Sequence, residues 1–64
     1  MAGIALSPRQ FEKLLKDNGY VYDRQSGDHR IFVKRGVNHV SFNIRKLNPI
    51  IVQRLMKENG LKVR

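Results

Sequence analysis

The sequence contains no cysteine. That excludes a disulfide staple and a thiolate metal site, and it is compatible with a reducing cytoplasm, where the chain is expected to reside. No apolar run approaches the roughly 20 residues of a membrane span. No long amphipathic basic helix is present to lie on a membrane surface, so no membrane association is expected. There is no glycine-rich phosphate loop. The two histidines have no Asp or Glu neighbours at ligand spacing. Neither a metal nor a small-molecule cofactor is therefore expected. The Met1–Leu6 stretch lacks a basic flank and is too short for a signal peptide, so it reads as a short arm before a domain over 7–64.

Acidic residues are also scarce. Five Asp and Glu face thirteen Lys and Arg, a formal net charge of +8 on 64 residues. A single small domain with that imbalance is expected to attract polyanions, nucleic acid first among them. A chain this short has room for one thin core.

What is present organises into five elements. Ser7-Pro8-Arg9-Gln10 is a helix start, with Ser7 capping, Pro8 in the first turn and Gln10 completing a capping box. Phe11, Leu14 and Leu15 form the apolar stripe, and Asn18-Gly19 ends the helix. The second helix repeats this grammar: Asn48 caps, Pro49 opens, Ile51, Val52, Leu55 and Met56 form the stripe, and Asn59-Gly60 closes. Between them lie three strand-like runs, Tyr20–Gln25, His29–Lys34 and His39–Ile44, separated by turn signals at Ser26-Gly27 and at Arg35-Gly36-Val37-Asn38. The expected fold is α+β in the order α-β-β-β-α, a three-stranded antiparallel sheet with both helices on one face.

A loop at Ser26-Gly27 sets Arg24 opposite His29, Tyr22 opposite Ile31 and Tyr20 opposite Val33. The second loop sets Val33 opposite Val40, Ile31 opposite Phe42 and His29 opposite Ile44. With side chains alternating by two, the core face collects Tyr20, Tyr22, Ile31, Val33, Val40, Phe42 and Ile44. The other face carries Asp23, Gln25, Arg30, Lys34, His39, Ser41 and Asn43. On it Val21 and Phe32 face each other, as a base-stacking platform, a partner contact or surface residues without a role.

This register puts Arg24 beside His29 at the outer end of the core face. Histidine serves as a general base or acid near neutral pH, and a neighbouring guanidinium holds a phosphate and stabilises charge that grows on it. RNA cleavage uses that combination: a base takes the 2′-hydroxyl proton, the oxygen attacks the adjacent phosphorus, and a cation stabilises the crowded phosphate. The products are a 2′,3′-cyclic phosphate and a 5′-hydroxyl. His39 is a poor partner, because five residues at about 3.3 Å each leave about 16 Å between it and His29. No second acid is evident. Among the remaining basic residues, Arg30 and Lys34 are expected RNA contacts. Arg45 and Lys46 are expected at the positive N-terminus of the second helix, where phosphate is favoured.

The run Arg24-Gln25-Ser26-Gly27-Asp28-His29-Arg30-Ile31-Phe32 resembles the Arg-Gln-x-Gly-Ser-His-x-x-Tyr segment of the HicA family. Leu14-Leu15-Lys16-Asp17-Asn18-Gly19-Tyr20 is similar to the end of that family's first helix. Leu47-Asn48-Pro49 and Leu55-Met56-Lys57-Glu58-Asn59-Gly60-Leu61 are similar to its second helix. The resemblance implies a fold like the double-stranded RNA-binding domain. It also implies an mRNA-cleaving toxin neutralised by a HicB-like antitoxin, and a catalytic role for His29. Asp28 stands where the family usually has Ser, and Phe32 where it often has Tyr. A non-catalytic RNA-binding module and a protein-interaction subunit are the alternative readings of the same residues.

Overall fold

The computed structural model describes residues 7–62, so the expected arm at Met1–Leu6 lies outside the described residues. The order is α1 (Pro8–Asp17), β1 (Val21–Ser26), β2 (His29–Val33), β3 (Val40–Asn43) and α2 (Pro49–Asn59). The strands form one antiparallel sheet in the order β1-β2-β3. The fold is α+β in the expected α-β-β-β-α arrangement.

Local chemistry starts and stops both helices. The Ser7 hydroxyl accepts from the Gln10 N–H at 3.2 Å, and the Gln10 side chain accepts from the Ser7 N–H at 3.0 Å, a reciprocal capping box. Asn48 accepts from the Ile51 N–H at 3.0 Å, ahead of Pro49. Gly60 closes α2 at a φ of 62°, a left-handed cap that a side chain would strain. Asn18 stitches the two helix ends together. Its amide nitrogen donates to the Leu14 and Lys62 carbonyls at 2.7 and 2.9 Å, and its oxygen accepts from the Lys62 N–H at 3.0 Å.

Phe11, Leu14 and Leu15 of α1 and Val52 of α2 meet Tyr20, Phe32, Val40, Phe42 and Leu61 in one core. Phe42 takes the edge of Phe11 with ring centroids 5.0 Å apart, and it stacks on Phe32 at 6.1 Å. The helices therefore cover the sheet face that carries Phe32, Val40 and Phe42.

The observed strand register corrects the expected one. Tyr22 pairs with Phe32, Arg24 with Ile31 and Ser26 with His29. His29 pairs with Asn43, Arg30 with Phe42 and Phe32 with Val40. Two physical causes account for the change. First, the turn is Gly27-Asp28, one residue later than expected. Gly27 has a φ of 59° and no non-glycine residue has positive φ among the described residues, the sign pattern of a type II′ hairpin with glycine in its first central position. Second, the inward place goes to Phe32, which is fully buried and packs on two other aromatic rings, Phe42 and Tyr22. Ile31 and Val33 turn outward and are half-buried. Phe32 is thus a core residue and not a surface platform facing Val21, and Val21 pairs with Val33 instead.

Candidate nucleic-acid interface

The pairing of β1 with β2 shifts between Tyr22 and Arg24, leaving Asp23 as the extra residue of a β-bulge. In a regular strand, residues two apart share a face. The bulge breaks that parity. Tyr22 points to the helix side, with its ring edge on Phe32 at 5.6 Å. Arg24 pairs with Ile31 and points to the open side. His29 lies two residues before Ile31 on the same strand, so it shares that open side.

The open face therefore carries His29 on the central strand, exposed. Ser26 stands directly across on β1 and Asn43 directly across on β3. Arg24 is the diagonal neighbour, a separation of about 7–8 Å in regular sheet geometry. The register corrects the expected direct pairing of Arg24 with His29 on the core face: Arg24 is diagonal to His29, on the face away from the helices. Val21, Ile31 and Val33 form an apolar strip beside them.

Each neighbouring arginine is held by a carboxylate. Arg24 Nη1 lies 2.6 Å from Asp23 Oδ2. Arg45 Nε lies 3.3 Å from Asp28 Oδ1, in the turn that precedes His29. Asn43 accepts from the Arg45 and Lys46 N–H groups at 2.8 and 3.0 Å, which folds the chain after β3 into a tight turn. Sequence reasoning placed Arg45 and Lys46 by the N-terminus of α2. The structure places Arg45 against Asp28, so it joins the His29 end of the sheet.

Two expected RNA contacts lie elsewhere. Arg30 is on the helix side, where it pairs with Phe42 across the strands and makes an ion pair with Glu12 of α1. Its Nε also donates to Gln25 at 3.3 Å. Lys34 follows β2 at the opposite end from His29, with Nζ over the Tyr20 ring at 5.5 Å. His39 precedes β3 at that same far end. An open cleft at the start of α1, lined by Ser7, Pro8, Arg9, Glu12, Arg30 and Ile44, does not include His29. The role of Asp28 in holding Arg45 escaped sequence reasoning, since no periodicity links a hairpin turn to the segment after β3.

Among the described residues no three His, Asp or Glu side chains cluster as metal ligands, and no helix is long and apolar enough to cross a membrane. The arrangement offers an exposed imidazole on an open sheet face, with Arg24 on the same face and Arg45 tethered to the turn that precedes His29. That suits a phosphodiester strand laid across the surface better than a small molecule enclosed in a pocket.

A family model described as the HicA toxin of bacterial toxin-antitoxin matches residues 8–61. No curated protein and no solved structure gives a significant match.

Proposed function

Because the chain belongs to the HicA toxins of bacterial toxin–antitoxin pairs, we propose that it acts as a metal-independent endoribonuclease on messenger RNA, with His29 at the reacting atoms. As a toxin of such a pair it has an antitoxin partner, and we take that partner to be HicB-like and the site of action to be the cytoplasm.

The observation that carries the reading is the bulge at Asp23. It turns Arg24 outward onto the face of His29, so an imidazole and a guanidinium reach one phosphodiester together. His29 takes the 2′-hydroxyl proton, and the freed oxygen attacks the adjacent phosphorus. Arg24 and Arg45 bear on the phosphate, where negative charge accumulates as the fifth oxygen approaches. The bond to the 5′-oxygen breaks, that oxygen takes a proton from water at this open face, and the hydroxide left behind takes the proton held on His29, which restores the base. The products are a 2′,3′-cyclic phosphate and a 5′-hydroxyl. Lys46 extends the cationic surface along the strand. Lys34, with its ammonium over the Tyr20 ring at the other end of the sheet, would meet a flanking phosphate only beyond this face. Arg30, committed to Glu12, supports the fold beneath the site.

Induction of wild type and of His29→Ala in bacteria, with transcript integrity followed by northern blot, tests this. Wild type is expected to arrest growth and fragment transcripts, and His29→Ala to do neither. Equal fragmentation by both would remove His29 from the chemistry.

A further inference from the structure

We propose that Asp28 is a positioning residue that holds Arg45 beside His29 as a second phosphate-binding cation; the proposal rests on the cleavage site described above. Two contacts join the β1–β2 turn to the segment after β3, and a third feature shapes that segment. The Asp28 carbonyl accepts from the Ile44 N–H at 2.8 Å. The Asp28 carboxylate meets Arg45 Nε at 3.3 Å. Asn43, which pairs with His29, fixes the Arg45 and Lys46 backbone through its side chain. The backbone contacts set where Arg45 begins, and the Asp28 carboxylate sets where its guanidinium ends.

A guanidinium has five N–H donors in a fixed fork. A carboxylate at Nε leaves the terminal nitrogens able to grip a phosphate bidentately. The Arg45 side chain is 78% exposed, so the pair contributes little to stability. Its consequence is direction. On β1, Asp23 holds Arg24 at Nη1 instead, so each of the two arginines at this end of the sheet has an acidic neighbour but only Arg45 keeps both terminal nitrogens clear of it.

A carboxylate next to a phosphate site also repels the substrate. The two effects predict opposite outcomes for Asp28→Asn. Positioning predicts a fall in kcat of about tenfold, although the variant binds RNA as well as wild type or better, because one negative charge is gone. Repulsion alone predicts a more active enzyme.

The test uses purified full chain and a labelled RNA oligonucleotide, with kcat and KM from cleavage. Kd comes from a version carrying a 2′-deoxy residue at the cleaved position. Circular dichroism confirms that each variant folds. Asp28→Asn is expected to lose kcat with Kd retained, and Asp28→Glu, which restores a carboxylate, is expected to recover most of the loss. In an Arg45→Ala background, Asp28→Asn is expected to have no further effect. Full or increased activity in Asp28→Asn, or an equal loss with and without Arg45, overturns the proposal. His29→Ala is the control. If wild type does not cleave, or His29→Ala cleaves equally, the underlying site reading fails and this proposal with it. If that control holds, only the role of Asp28 is at stake.

Discussion

Replacing Phe32 by alanine should remove a large part of the stability of this domain while leaving the proposed RNA-binding face untouched. Phe32 is fully buried, stacked on Phe42 at 6.1 Å and met edge-on by Tyr22 at 5.6 Å. Truncating a buried phenylalanine costs about 3–5 kcal/mol. At about 0.05–0.15 kcal/mol per residue, a chain of 64 residues has about 3–10 kcal/mol in total. With a urea slope of about 1 kcal/mol/M, at the low end for small domains, a loss of about 3 kcal/mol moves the midpoint by about 3 M. Phe32→Leu keeps most of the volume and should cost about 1–2 kcal/mol, so it stays folded for binding measurements. Urea titrations followed by far-UV circular dichroism, in a His29→Ala background that cells tolerate, give the stabilities. Fluorescence anisotropy gives the RNA affinity of Phe32→Leu, expected within about twofold of its parent. A base-stacking residue would behave otherwise, since loss of one stacked base costs about 1–3 kcal/mol of binding. A Phe32→Ala protein destabilised by less than about 1 kcal/mol, with RNA binding weakened about tenfold, would refute the inward assignment of this ring.

Other consequences separate the two faces of the sheet. Arg24→Ala should weaken RNA binding and lower the slope of log affinity against log salt by about one. Arg30→Ala should leave that slope unchanged and cost about 1–3 kcal/mol in denaturant titration, because Glu12, its partner, is left mostly buried without a counter-charge. Asn18→Ala removes two hydrogen bonds between the helix ends and one within the end of α1, and should destabilise by about 1–2 kcal/mol, with faster amide exchange at Lys62 as the local readout. Gly27→Ala places a side chain at a φ of 59° and should cost about 1–2 kcal/mol by the same titration, with RNA affinity per folded molecule unaltered.

The helices were legible because their signals are local. Ser7 with Gln10 and Asn48 before Pro49 announce a helix start within four residues, and the structure forms those bonds. The parity of the sheet was not legible. It depends on which two residues make the first turn, and Ser26-Gly27 and Gly27-Asp28 differ by one position with opposite consequences for every side chain on β2. It depends also on the bulge at Asp23, which no composition signal marks. Arg24 and His29 stayed together only because both moved. The shifted turn put His29 on the open face, and the bulge put Arg24 there with it. Arg30 went the other way with Phe32, so a residue expected on the polar face came to rest against Glu12. The Asp28–Arg45 pair joins residues seventeen apart through a tertiary contact, which periodicity does not register.

The most direct test compares purified wild type with His29→Ala on a single-stranded RNA oligonucleotide, scoring both the cleavage rate and the chemistry of the new ends. A general base of this kind contributes about 10²–10⁴-fold. The variant should therefore fall by that factor while its affinity for uncleavable RNA holds, and the wild-type products should end in a 2′,3′-cyclic phosphate. Undiminished cleavage by the variant, or products bearing a 5′-phosphate, would contradict the assignment of the imidazole to the 2′-hydroxyl.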